Sequence, residues 1–199
     1  VIVIGVLTAY VILRTRLRAR SLLDYASILP LAVPGTAIGF ALIVIYLNWP
    51  GNLTGFYGTA MILLVAYLAR FIPIGVRNGQ SGLLQIAPEL EEAARVSGST
   101  EFGALMRITI PLMLPMLVYT WLLVFILAIP ELSASIILRG FGTQTVATSL
   151  LSVWNGNGGL AVACAYGVCI SAVVSALFLL AALVGRRSPA IRKSIFGGG

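Results

Sequence analysis

Residues 25–69 of this chain carry no aspartate, glutamate, lysine or arginine. A water-soluble domain cannot cover so long an uncharged stretch, whereas a bilayer solvates it well. The stretch is long enough for two helices, and Asn48-Trp49-Pro50-Gly51-Asn52 interrupts it near the middle. Turn residues of that kind predict spans over about 27–47 and 56–76, joined by a short turn. Pro30, Pro34 and Gly35 fall early in the first span. Proline there kinks a helix, and neighbouring helices must satisfy the carbonyls it frees.

The rest of the chain follows the same pattern. It is 59% hydrophobic, only 10% charged, and has a mean hydropathy of +1.03. A polar stretch from Arg77 to Arg107 separates the second span from an apolar run at 111–130. Glu131 then opens a mixed segment to Gly159, and the last apolar run, 160–184, stops at Arg186-Arg187. The opening run to Leu13 is shorter than the roughly 20 residues a spanning helix needs. Its arginines follow the apolar stretch, whereas a signal peptide carries them in front. Residues 1–13 therefore read as the tail of a span that begins before Val1. The expected fold is all-α: a polytopic membrane helix bundle over 1–187, with four complete spans, a partial first helix and a tail at 188–199.

Arginine placement sets the orientation. Alternating spans put Arg14, Arg16, Arg18, Arg20, Arg77, Arg95, Arg107, Arg186, Arg187, Arg192 and Lys193 on one side and Arg139 on the other. Arg70 lies within a span, near its basic-side end, where it can snorkel. The basic side is cytoplasmic by the positive-inside rule. The loop 77–110 is then the largest cytoplasmic segment and 131–159 the largest outer one. Tyr46, Trp49, Tyr57 and Trp154 fall near span boundaries and read as interface anchors. Asn155 and Asn157 lie in an outer turn.

Several function classes drop out. The chain has no histidine, which removes the commonest general base and metal ligand and any Ser-His or Cys-His nucleophile pair. Cys164 and Cys169 lie inside the last apolar run and read as small core residues. The net charge of +7 sits at the ends of apolar runs, not on one polar stripe, so nucleic acid is not an expected partner. The lone lysine, Lys193, follows no glycine-rich loop, so the chain lacks a phosphate-binding loop for ATP. No catalytic residue, metal or cofactor is expected.

The loop 77–110 carries the strongest signal. Pro88 suits a first helical position, and Glu89, Glu91 and Glu92 complement a helix N-terminus. Glu91 and Arg95 are spaced as an i,i+4 pair. Gly98 can end the helix in a left-handed conformation. A second helix starts at Ser99 or Thr100 and runs until Pro111 bends the chain into the membrane. A helix of about ten residues is marginal alone in water and must pack on something. Its face of Leu90, Ala93, Ala94 and Ser97 suits a groove on another protein or this protein's own surface equally well.

Glu92-Ala93-Ala94, three residues, Gly98, nine residues, then Ile108-Thr109-Ile110-Pro111 resembles the signature loop of binding-protein-dependent ABC permeases. Ile110 stands where that pattern has leucine. The resemblance extends to Leu29-Pro30-Leu31-Ala32-Val33-Pro34-Gly35-Thr36, as in the branch that includes ferric-iron, thiamine, spermidine/putrescine and aminoethylphosphonate permeases. Glu131-Leu132-Ser133-Ala134-Ser135 with Gly142-Thr143 looks most like the ferric-iron members. The resemblance implies a type I importer transmembrane domain in a bacterial inner membrane. Its loop would be a coupling helix, with Glu92, Ala93, Ala94, Gly98, Ile108 and Pro111 docking into a separate ATPase. Implied partners are a dimer of cytoplasmic ATP-binding subunits, a second permease half and a periplasmic or lipid-anchored solute-binding protein. Iron-type members often fuse two halves, and this chain would match the C-terminal one. The implied cargo is ferric iron, with thiamine, a polyamine or aminoethylphosphonate as alternatives. A gradient-driven secondary transporter is the competing class, but such proteins usually need ionisable groups at membrane depth, and Arg70 is the one firm candidate.

Glu131 is the only acidic residue at an outer span end. A carboxylate there is costly unless paired, wet or functional. It reads either as an ion pair with Arg139 or, with Ser133 and Ser135, as lining of a pathway or gate.

Overall fold

The computed structural model describes residues 1–15, 17–48, 57–140, 142–156 and 159–186, with side chains to Leu183. Arg16, Trp49, Pro50, Gly51, Asn52, Asn157, Arg187, Arg192, Lys193 and the tail 188–199 lie outside them. The described residues form α1 (Ile2–Arg14), α2 (Arg20–Ala32), α3 (Gly35–Asn48), α4 (Ala60–Leu84) and α5 (Pro88–Val96). They continue with α6 (Glu101–Ala104), a π-helical turn (Leu105–Thr109), α7 (Ile110–Ala128), α8 (Ser135–Leu138), α9 (Val146–Asn155) and α10 (Gly159–Arg186).

Among the described residues three helical stretches are long and apolar enough to cross a membrane: Ala60–Leu84, Glu101–Ala128 and Gly159–Leu183. At 1.5 Å per residue the 25 residues of α4 rise about 37 Å, more than the ~30 Å hydrocarbon core. The 13 residues of α1 rise only about 20 Å.

Three expectations are corrected here. The region 27–47 is not one kinked helix: α2 and α3 meet at 107°. Pro34 has no amide hydrogen to donate, and its ring pushes Val33 out of helical geometry, so the helix stops at Ala32 and restarts at Gly35. The second span does not end at 76, because α4 runs on to Leu84 through Arg77. Arg77 and Gln80 there have a protein partner: Asp24 Oδ1 accepts from Gln80 Nε2 at 2.9 Å and lies 3.3 Å from Arg77 Nη1. Pro111 does not bend the chain, since Glu101–Ala128 is one helical run. The wider turn at Leu105–Thr109 lies just before it and relieves the clash between a proline ring and the carbonyl four residues back.

The chain divides into two compact units. One comprises Val1–Ser27, Ile72–Leu123 and the chain from Leu179. Its core is Val6, Ala9, Leu83, Ile86 and Met113, flanked by Ile2, Tyr10, Leu13, Ile110 and Leu117. Small residues bring α1 against α4. A Cβ on Gly5 would lie 2.5 Å from the Gly75 carbonyl carbon, and one on Gly79 would lie 3.1 Å from Ala9 Cβ. Such glycine contacts between backbones are a usual way for apolar helices to associate in lipid.

The other unit comprises Ile28–Phe71 and Val124–Phe178. Ile62, Leu63, Ala66, Ala134 and Leu138 form its core, with Leu42, Ile43 and Tyr46 of α3 packed on it. Thr143 Oγ1 donates to Gly58 O at 2.9 Å and accepts from Gly140 N at 2.8 Å, which pins the segment after α8 beside the start of α4. Thr145 caps α9 in a reciprocal capping box with Thr148. Cys164 and Cys169 are exposed, not core residues, because little of this chain covers α10.

Candidate functional site

The signature loop folds as two helical pieces about Gly98. Ala87 is extended, and Pro88 opens α5 where a missing amide hydrogen costs nothing. At the other end Ser97 N donates to Ala93 O, Gly98 N to Arg95 O and Ser99 N to Ala94 O, at 2.9–3.0 Å. Gly98 has φ +90°, a conformation that an L side chain resists. Thr100 then caps α6, its Oγ1 accepting from Gly103 N at 3.0 Å.

The two faces of α5 differ in kind. Leu90, Glu92, Ala93 and Val96 are exposed, Val96 at 91%. Phe102, 67% exposed, and Met106 continue the apolar character beyond Gly98. Ala94 and Ile108 are half-buried, and Pro111 is exposed. Among the described residues Glu92 has no hydrogen-bond or ion-pair partner. The inner face carries Glu91, only 3% exposed. Its Oε1 accepts from Thr109 Oγ1 at 2.8 Å and lies 3.8 Å from Arg14 Nε. The expected Glu91–Arg95 pair is therefore absent. Helix rotation buries Glu91, and Arg95 instead reaches Glu101 across the Gly98 bend at 3.5 Å.

The second candidate is built on α4, α3 and the segment after α7. Arg70 Nε donates to Glu131 Oε2 at 2.9 Å. Glu131 is 9% exposed, and its Oε1 accepts from Ala134 N at 3.3 Å. The hydroxyls of Tyr67 and Ser135 stand 2.7 Å apart, and both reach the Glu131 carbonyl. Ser133 packs by its Cβ against Gly35 at the start of α3. The structure thus brings Glu131, Ser133 and Ser135 together, with Ser135 buried and satisfied.

Two readings of charge change. Glu131 pairs with Arg70, not with Arg139, whose Nη1 donates to Ser152 Oγ at 3.2 Å. Arg70 does not sit near the end of its helix, because α4 continues to Leu84. Sequence reasoning missed Arg14, Tyr67 and Thr109 at these sites. A signal existed for Arg70: it and Glu131 were opposite charges isolated in apolar surroundings, each in need of a partner.

Over residues 1–188 the sequence matches the family described as binding-protein-dependent transport system inner membrane component. The chain belongs to that family. This family member is an integral membrane protein. It is 30% identical over 176 residues to a ferric transport system permease protein of Actinobacillus pleuropneumoniae, covering 88% of this chain and 25% of the relative. It is 32% identical over 162 residues to a sulfate transport system permease protein of Escherichia coli strain K12, covering 75% of this chain and 57% of the relative. The chain thus spans about a quarter of the ferric relative's length. The fold is similar to a solved bacterial ABC transporter involved in the import of the acidic polysaccharide alginate. That match has TM-score 0.70 and 16% identity, over 94% of this chain and 73% of that one.

Proposed function

We propose that the chain lines the solute path of an ATP-driven importer in a bacterial inner membrane, and that α5 is its docking helix for a cytoplasmic ATPase. The observation that carries this reading is that the apolar Leu90, Ala93 and Val96 before Gly98, and Phe102 and Met106 after it, are all exposed, with nothing packed on Gly98 itself. Solvent-exposed apolar patches of this kind mark partner surfaces. The ATPase dimer, a second permease half and a solute-binding protein are the proposed partners. In this reading Glu92, Ala93, Ala94 and Gly98 face the ATPase, while Ile108 and Pro111 fix how α7 leaves the loop.

The proposed cargo is ferric iron, supported by the ferric relative's match across most of this chain. Sulfate is the second reading, on the strength of the sulfate relative. Glu131 does not favour iron by itself, because a carboxylate neutralised by a guanidinium is a poor cation ligand. We assign Glu131, Ser133 and Ser135 to holding the α2–α3 break in place beside the path, not to binding cargo. Uptake of radiolabelled ferric iron and of radiolabelled sulfate by cells carrying the complete transporter separates the two. Accumulation of iron alone supports the first reading, and accumulation of sulfate alone overturns it.

A further inference from the structure

A docking helix does work only if its movement reaches the membrane helices, and nine residues cannot hold their own position. The contacts on the inner face of α5 therefore decide where a push goes. Packing alone would call for an apolar side chain there. The chain places a carboxylate instead, Glu91, and burying it is costly unless it is paired.

Its partners come from two directions. Thr109, fully buried at the end of the π-helical turn, donates to Glu91 Oε1 at 2.8 Å. Arg14, the last residue of α1, sits with Nε 3.8 Å from the same oxygen. The Nη2 of Arg14 donates to Leu83 O at 3.2 Å, in the last turn of α4, and to Ile86 O at 2.7 Å, just beyond its end. Leu83 O also accepts from Ile86 N at 3.2 Å, so the guanidinium adds to the cap of α4 and complements its negative end. The Glu91 carboxylate thus joins the end of α1 to the residue just before α7, and through Arg14 it reaches the end of α4.

The Arg14–Glu91 contact is also incomplete. Arg14 Nε is buried with no hydrogen-bond partner among the described residues. A shift of α5 toward α1 by under about 1 Å would close it to a charge-assisted hydrogen bond, and an outward shift would lose it.

We propose that Glu91, held by Thr109 and Arg14, is the positioning residue that passes displacement of α5 to α1, α4 and α7. The exposed face of α5 takes the partner, and the buried carboxylate connects that face to the bundle. This inference rests on the reading of α5 as a docking helix.

The test uses the complete transporter, purified with its ATPase and reconstituted with its binding protein. Thr109→Val removes the hydroxyl and keeps the shape, Thr109→Ser keeps the hydroxyl, and Glu91→Gln keeps the shape and removes the charge. Retention of the ATPase subunit reads docking, and solute moved per ATP hydrolysed reads transmission. The expected result is that T109V and E91Q retain the ATPase while solute moved per ATP falls by roughly tenfold, and that T109S restores it. Full coupling in T109V and E91Q overturns the proposal. So does a T109S variant as impaired as T109V, because packing and not the hydrogen bond would then matter. Failure of the unsubstituted protein to retain an ATPase refutes the docking reading itself, and the proposal with it.

Discussion

The Arg70 guanidinium holds the Glu131 carboxylate at 2.9 Å, and Gly35 lies against both. A Cβ on Gly35 would sit 3.2 Å from Arg70 Nη1, 3.2 Å from Glu131 Oε1 and 2.9 Å from Ser133 Cβ. The α2–α3 break therefore rests directly on an ion pair.

Removing one partner leaves the other charged in a poor solvent. Arg70→Met or Glu131→Gln should each destabilise the protein by ~3–5 kcal/mol, and the double substitution by less than the sum. Thermal unfolding in detergent reads this. Additive losses in the double variant would show that the two residues act separately.

Gly35→Val should displace the start of α3 or the ion pair, because its nearest neighbours include the stiff Ser133 Cβ. Overpacking of this kind costs about 1–3 kcal/mol. Adding Ser133→Gly should recover part of the lost melting temperature. No recovery would mean that the strain lies elsewhere.

How much of this was legible beforehand depended on whether the physics was local. The uncharged run, the apolar stretches at 111–130 and 160–184, and the Gly98 bend are properties of neighbouring residues, and the sequence exposes them. The 107° break was half legible: Pro34 and Gly35 announced a kink, but its size depends on what receives the freed ends. Partner choice was not legible. Glu91 is as well spaced for Arg95 as for burial, and only the rotation of α5 against α1 and Thr109 selects the latter. The Arg70–Glu131 pair joins residues far apart in sequence, and Arg139 was the nearer candidate along the chain.

The α1–α4 contact makes a sharp contrast with α10. Gly75→Leu should lower stability by about 2 kcal/mol or more, since Val1 already lies 3.0 Å from a Cβ there. Gly167→Leu should not, because nothing lies within 4 Å of its Cβ in this chain. Paired melting curves of the isolated chain decide it. Equal losses would contradict the packing described for α1.

Gly98→Val places a β-branched residue at φ +90°, at a cost of about 1–2 kcal/mol, in a place where a side chain meets no neighbour of its own chain. The fold should survive, with a modestly lower melting temperature. Retention of the ATPase in pull-down should fall sharply. Unchanged retention would remove Gly98 from the docking surface.

The side on which α5 lies is the most direct test of the whole account. Val96→Cys, in a background with Cys164 and Cys169 replaced by serine, puts a single thiol on the exposed face of that helix. A membrane-impermeant maleimide should label it in inverted membrane vesicles and not in intact spheroplasts, and ATPase binding should protect it. Labelling from the outside of spheroplasts would contradict the account.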